Sequence, residues 1–276
     1  MIQQGSAYWL KNQDSQNSHF NLLELASTQR AITNYVKILT GREIPVDFVD
    51  PRGDSMTDGE SIEIASRINH KNVDEVVGLA LHEASHCILT DFKIVKKLGN
   101  VILQDHKYKH LFPNRDHVFL FTNFMEDRRI DDFVYNSAPG YKAYYESMYE
   151  SSFFNDTINK GLTGTEYRTE TWESYMFRII NIFNPNSDLD ALYNLRKIYD
   201  IIDLDHINRL KSTRDSIDVA MEITDIVRAS IIVERMINED NFDQSVLEKS
   251  HKKEGEKNDV SKEKIKNAFQ KQENFI

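Results

Sequence analysis

The chain has 276 residues, 40% of them hydrophobic and 28% charged, which is typical of a soluble globular protein with a sizeable core. Its formal net charge of −10 disfavours nucleic-acid binding, because the neutralisation of phosphates needs a basic face. The single cysteine, Cys87, excludes an intramolecular disulfide. Without a signal-peptide pattern or an apolar run of roughly 20 residues, the sequence predicts a cytoplasmic protein with no membrane contact.

The first 70 residues predict one long helix and a small β element. Apolar residues recur at helical spacing over 20–44, and Gly41 is the expected stop. Segments 44–50 and 60–66 alternate apolar and polar residues as short strands do. The stretch 51–59, rich in Asp, Gly and Pro, predicts the turn that connects them.

The rest of the chain predicts mainly helices. A helix is expected over His117–Ser137, closed by Pro139-Gly140. Further amphipathic helices are expected at 141–156, 169–183, 188–202 and 212–237. After residue 237 the sequence is highly charged, which predicts a tail or linker at 238–276 behind a single domain at 1–237.

The word His82-Glu83-Ala84-Ser85-His86, the HEASH motif, lies in a helix for which Asn72 is the predicted N-cap. Helical residues four apart project from one face, so His82 and His86 can hold one ion. Two neutral imidazoles suit zinc and leave positions for a third protein ligand and a water. Glu83 is next to the first histidine and can take a proton from that water without ligating, as in other hydrolytic H-E-x-x-H sites.

A pattern with three fixed positions also arises by chance, and a histidine pair can be an ordinary surface feature. Strongly apolar flanks, such as Val76-Val77 and Ile88-Leu89, indicate that the motif is at least partly buried. Because buried ionisable groups are costly unless they are paired or bound to metal, a zinc site is the favoured interpretation. A helical protein without metal remains the alternative if His82 and His86 point apart or face bulk water.

The third ligand is expected from the segment Thr122–Asp131, an apolar helix that carries a tight cluster of acids and bases. Glu126 is the predicted ligand and Asp127 is its main competitor, while neighbouring groups orient the ligands from outside. The alternative is an ordinary salt-bridged helix face in which these charges only pair with each other. Three histidines compete on ligand chemistry alone: His106, His110 and His117.

The combination of motifs resembles a known family. A "TDG" turn and a strand lead into "GLALHEASHCILTDF", then N-x-x-E-D-x-R-I-D at Asn123–Asp131, then "APGY". This is similar to the metallopeptidase-like domain found ahead of von Willebrand factor A modules in bacterial and phage proteins, including those related to the cobaltochelatase large accessory subunit. The resemblance covers 47–149 well and extends more loosely to the segment "RLKSTRDSIDVAMEITDIV".

The resemblance implies a zincin-like α+β fold, mainly α with a small β-sheet, an active-site helix and a helical C-terminal part. By position it implies zinc ligands His82, His86 and Glu126 and the base Glu83. It also implies supporting residues, which are Asn123, Asp127 and Arg129. A von Willebrand A or AAA+ ATPase partner follows from some relatives, although no such module or D-x-S-x-S motif is present in this sequence.

The leading functional hypothesis is a zinc metallopeptidase that cleaves a protein or peptide by general-base and then general-acid action of Glu83. The strand Glu60–Ser66 is a candidate to pair with an extended substrate. Cys87 is interpreted as a small buried hydrophobe. Candidate oxyanion donors are Arg129 and three tyrosines, Tyr141, Tyr144 and Tyr145. The alternative is a catalytically silent zincin-fold module for binding or assembly, in which a fourth protein ligand closes the metal site.

Overall fold

The computed structural model describes residues 13–50, 54–65, 68, 71–98, 107–242 and 259–276. The described part is mainly helical with one small three-stranded sheet, which confirms the predicted mixture of elements. The chain divides into two compact units, Met1–Ile88 and Leu89–Ile276. This division falls inside the predicted domain 1–237, whose zincin-like character stays a prediction.

The first unit contains a long helix, the sheet and the helix of the HEASH motif. Helix α1 ends where predicted, because Gly41 adopts a φ of 67° that an L side chain rarely tolerates. The motif's helix begins directly after Asn72 and continues to the first residue of the second unit. The elements are α1 (Gln13–Thr40), β1 (Val46–Phe48), β2 (Met56–Thr57), β3 (Ile62–Ile64) and α2 (Val73–Leu89).

The sheet corrects one turn prediction. Within the predicted turn 51–59, Met56–Thr57 forms strand β2, antiparallel to β3. The connection between β2 and β3 consists of the four residues 58–61, and Gly59 within it has a φ of 91°. The Asp58 side chain accepts hydrogen bonds from the backbone N–H groups of Glu60 and Ser61 and so fixes the hairpin. Strand β2 has only two residues, which is too short for an alternating pattern in the sequence to reveal it.

Strand β3 is the central strand of the sheet, with order β1-β3-β2. It pairs parallel to β1 on one side and antiparallel to β2 on the other. The expectation that segment Glu60–Ser66 receives a substrate along its edge is therefore wrong, because both edges of β3 are already hydrogen-bonded. Its two isoleucines, Ile62 and Ile64, are fully buried, and Glu63 between them is exposed.

The second unit is a helical bundle in which α4 packs along α9. Helix α4 ends at Ser137 because the next residue, Ala138, precedes Pro139 and leaves helical geometry. Short 3-10 segments lie at Lys109–Asn114, Pro139–Tyr141 and Leu204–Arg209. The helices are α3 (Phe92–Lys97), α4 (Arg115–Ser137), α5 (Lys142–Ser152), α6 (Asp156–Thr163), α7 (Trp172–Ile180), α8 (Leu195–Ile202), α9 (Thr213–Phe242) and α10 (Asp259–Phe275).

The predicted tail at 238–276 is corrected where the structure describes it. Helix α9 continues past residue 238, and residues 259–275 form α10, which packs against α6. Ile265 and Phe269 of α10 are 3% and 2% exposed and belong to the main hydrophobic core of the second unit. The buried Gln272 exchanges hydrogen bonds with Asn181. Only one face of α10 is apolar, so its many charges concealed the helix in the sequence.

Membrane contact was not expected from the sequence. Of the helices in the described part of the chain, none combines the length and the apolar character that a membrane-spanning segment requires.

Candidate metal site

Helix α2 holds the three functional residues of the HEASH motif within little more than one turn. His82 and Glu83 are buried, with 1% and 4% of their surface exposed, and His86 is partly exposed. The two imidazole rings lie edge to face with their centroids 4.9 Å apart. The histidines therefore do not point apart, which removes one condition for the alternative without metal.

Cys87 follows His86 but belongs to the sheet side of the first unit. Its Sγ atom lies 3.1 Å from the Thr57 hydroxyl on β2. Burial raises the pKa of the thiol, and the nearby Glu83 charge acts in the same direction, although the Thr57 hydrogen bond opposes them. A protonated, half-buried thiol fits the interpretation of Cys87 as a small hydrophobe rather than a metal ligand.

Glu126 on α4 is buried with both carboxylate oxygens occupied by donors. Oε1 accepts hydrogen bonds from Thr90, Arg129 and Thr213 at 2.8, 2.6 and 2.8 Å. Oε2 accepts from Arg129 and Ser216 at 2.9 and 2.8 Å. Five donors exceed the roughly four lone-pair positions of a carboxylate. Glu126 therefore has no acceptor position left for a metal in this arrangement.

The environment of Glu126 keeps it charged. Burial alone would raise the pKa of this carboxyl, but the hydrogen bond and positive charge of Arg129 outweigh burial. Together with the hydroxyls of Ser216 and Thr213, they hold the pKa below its ordinary value. The group is thus a permanent anion that joins α4 to the residue after α2 and to the start of α9.

The Arg129 guanidinium is occupied by hydrogen bonds within the protein, which does not suit an oxyanion donor. Its Nε and Nη2 atoms donate to Glu126, and Nη2 also donates to the carbonyl of Leu89, the last residue of α2, at 2.7 Å. Only Nη1 remains outside these bonds, and the side chain is 9% exposed. These contacts argue against Arg129 as the oxyanion donor, and its predicted supporting role at a metal site stays a prediction.

Asp127, the predicted competitor of Glu126, is the next residue of α4 and is 1% exposed. Because both oxygens of Glu126 are occupied by donors, Asp127 is the better candidate of the two neighbouring carboxylates for a third metal ligand. The order of preference is therefore the reverse of the sequence prediction.

The other predicted candidates have different surroundings. Asn123 is exposed, and among the described residues no hydrogen bond of its side chain supports the predicted assisting role. His110 pairs with Asp225 at 2.7 Å on the surface, and His117 stacks on Trp172 with ring centroids 3.9 Å apart. Tyr145 is buried as a core residue. His106 lies outside the described residues.

The hydroxyls that surround Glu126 were not predicted from the sequence. Thr90 is 36 residues away along the chain, and Thr213 and Ser216 are 87 and 90 residues away. Thr213 also accepts a hydrogen bond from the backbone N–H of Asp91, so one hydroxyl joins two segments. A weak signal was present in the chain, since "STRDS" at 212–216 places several hydroxyls at a helix start.

Comparison of the chain with protein-family models, with curated proteins and with solved structures finds no match. The family resemblance inferred from the motifs therefore stays a prediction, and the argument for function depends on the residues themselves.

Proposed function

We propose that this protein is a zinc-dependent metallopeptidase of the zincin-like type, in which His82, His86 and Asp127 hold the metal. The observation that carries the proposal is the pair of imidazoles on α2, His82 and His86, whose ring centroids lie 4.9 Å apart on the helix that also carries the buried Glu83. The proposed ligands differ from the sequence prediction only in the third one, for which Asp127 replaces Glu126, because Glu126 is saturated by donors.

The three residues fit zinc by chemistry. Two imidazoles and one carboxylate are a ligand set of hydrolytic zinc sites, and three protein ligands leave a coordination position for water. Ligand atoms on one tetrahedral zinc lie roughly 3.3 Å apart when each bond is about 2.0–2.1 Å long. Two histidines four residues apart on one helix face can reach that spacing.

Around such a site the protein's own residues have separate tasks. When bound, zinc would supply a Lewis acid that polarises a carbonyl and makes a water molecule easier to deprotonate. Glu83, buried beside His82, takes the proton of the attacking water and later gives it to the leaving amine. Glu126 and Arg129 fix the helix that carries Asp127 and so orient this ligand from outside.

The substrate proposed is a protein or peptide in extended conformation. Because β3 is central, such a segment would pair with an outer edge of the sheet, that is, with β1 or β2. Each of these two strands has one exposed side chain, Asp47 on β1 and Met56 on β2.

The test measures zinc and cleavage separately. The purified chain is expected to carry about one zinc per molecule by elemental mass spectrometry and to cleave members of an unbiased peptide library. Glu83→Gln should keep the zinc and lose cleavage by at least about 100-fold, the lower end for general-base catalysis. Asp74→Asn, an exposed carboxylate on the same helix, is the matched control and should change neither.

Two results would separate the alternatives. Wild-type rates in Glu83→Gln would refute the mechanism. Zinc binding without cleavage of any library peptide by the wild-type chain would instead favour a silent zincin-fold module that assembles with a von Willebrand A or AAA+ ATPase partner.

A further inference from the structure

The second unit contains a pocket that the proposed zinc chemistry does not use. It has a volume of about 540 Å³ and opens between α4, α5 and the 3-10 segment Leu204–Arg209. Its walls are largely aromatic: Tyr135, Tyr145, Tyr149, Phe154 and Phe183. We call it the Arg128 pocket, after the one basic residue in its wall. A cavity of this size accommodates an amino-acid side chain together with its backbone.

Arg128 is buried in this wall with part of its hydrogen-bonding capacity unused. Its side chain is 6% exposed and its guanidinium lies 4.7–5.7 Å from the centroids of four aromatic rings. The nearest carboxylate oxygen, on Asp131, is 3.7 Å from Nη2, too far for a hydrogen bond. Within the described residues, Nε and Nη2 have no hydrogen-bond partner. These two atoms form one edge of the guanidinium, so an acceptor oxygen is missing beside it.

Three further carboxylates line the pocket: Asp132, Glu146 and Glu150. Asp132 accepts a hydrogen bond from Asn136 and Glu146 accepts one from Tyr135, but neither donor is charged. In the part of the chain that the structure describes, none of the three forms an ion pair. Arg128 in the wall and Lys142 beside Tyr135 offset two of the four carboxylates, so the pocket retains an excess of negative charge that favours a cation.

The walls themselves already attract an ammonium group. Lys142 Nζ lies 4.2 Å from the centre of the Tyr135 ring. This contact shows that the outer aromatic wall offers its face to a cation in the presence of the neighbouring carboxylates. The pocket thus combines three chemistries: negative charge, aromatic faces and an unused guanidinium edge.

We infer that the Arg128 pocket binds a basic residue, Lys or Arg, of a peptide. The cationic head lies at Glu146 and Glu150, the apolar stem packs against the aromatic walls, and the carbonyl or carboxylate oxygen accepts from Arg128. Every residue involved belongs to the second unit, so the inference does not depend on the metal site.

The test is an NMR titration of the full chain with four probes, run with a chelator and again with zinc. Nα-acetyl-lysine amide contains all three features, Nα-acetyl-norleucine amide lacks the charge, and hexylamine lacks the carbonyl. Free lysine distinguishes an amino-acid ligand from a peptide. The lysine amide should bind at least about tenfold tighter than the norleucine amide and hexylamine, as expected for one charged contact. Addition of 0.5 M NaCl should weaken it.

The exposed pair Glu146→Gln/Glu150→Gln should bind the lysine amide roughly tenfold more weakly than the wild type, because two surface-level charge contacts are lost. Glu263→Gln, an exposed carboxylate on α10, is the matched control and should bind as the wild type does. The inference is overturned if the norleucine amide or hexylamine binds as tightly as the lysine amide. It is equally overturned if the double variant keeps full affinity, or if the lysine amide fails to bind at low millimolar concentration.

Discussion

Helices α2 and α4 both bury ionisable side chains, yet they stabilise them in different ways. On α2 the functional groups are two imidazoles and one carboxylate inside an otherwise apolar helix. On α4 five charged residues are buried within six positions: Glu126, Asp127, Arg128, Arg129 and Asp131. Five buried charges require partners that stabilise them. Several partners of the α4 residues lie in segments that are distant in sequence.

The two arginine–carboxylate pairs of α4 have the same spacing but different surroundings. Glu126 with Arg129 and Asp131 with Arg128 are each i,i+3 pairs. The first lies among hydroxyls, which donate to the Glu126 carboxylate. The second lies among aromatic rings, and within the described part of the chain two nitrogen atoms of Arg128 have no acceptor. The same spacing, with the order of acid and base reversed, therefore occurs in two different environments.

The largest loss of stability is expected from Glu126→Gln, which tests the difference between the two pairs. The change leaves Arg129 buried without its charge partner, which costs about 3–5 kcal/mol when a buried pair is broken. Urea unfolding of the metal-free chain measures the loss, and the exposed Glu222→Gln on α9 is the control. A variant of unchanged stability that nevertheless loses its zinc would identify Glu126 as a ligand and break the comparison.

The substitution of the neighbouring residue, Asp127→Asn, should mainly lower the zinc affinity and should change the stability less. Removal of a ligand should weaken zinc binding by more than the 10–100-fold typical of outer-shell residues, which corresponds to about 2.7 kcal/mol or more. Competition with a zinc chelator gives the affinity, and unfolding of the metal-free chain gives the stability, which should change less than in Glu126→Gln. Unaltered zinc affinity in Asp127→Asn would remove this residue from the proposed site.

The sequence could predict what is local to each helix. The start of the HEASH helix, the spacing of His82 and His86 and the existence of an acidic cluster on α4 all follow from periodicity and short motifs. The choice between Glu126 and Asp127 does not, because it depends on hydroxyls 36 to 90 residues away. Adjacent carboxylates on one helix have the same sequence signal, and only the fold distinguishes them.

Helix α10 was not predicted for the same reason, because the residues that it packs against are distant in sequence. Gly161 in α6 looks like a weak point of a helix, but a Cβ atom there would lie 2.8 Å from Ile265 and 2.9 Å from Phe177. Its small size permits the close approach of α10. A charged segment with two buried apolar residues, Ile265 and Phe269, does not indicate such a contact by its composition.

Gly161→Ala is therefore expected to destabilise the second unit by about 1–2 kcal/mol. Overpacking costs typically about 1–3 kcal/mol, and the better helix propensity of Ala returns up to about 1 kcal/mol. Gly140→Ala, where a Cβ meets nothing within 4 Å, is the matched control. Urea unfolding compares the two variants. Equal stability of both would mean that α10 does not pack closely against α6.

The smallest loss of stability is expected when an exposed arginine near α2 is replaced. Arg42 donates to the carbonyls of Cys87 and Gly59 at 3.4 and 3.3 Å, and its side chain is 46% exposed. Arg42→Lys should cost less than about 0.5 kcal/mol, because long, solvated contacts contribute little. Arg129→Lys is the buried counterpart: it loses the planar fork that joins Glu126 to the Leu89 carbonyl and should cost about 2 kcal/mol or more. Unfolding of both variants compares the same chemical change at two depths of burial. Equal losses of stability in the two variants would mean that burial does not determine how much the charged residues of α4 contribute to the free energy of unfolding.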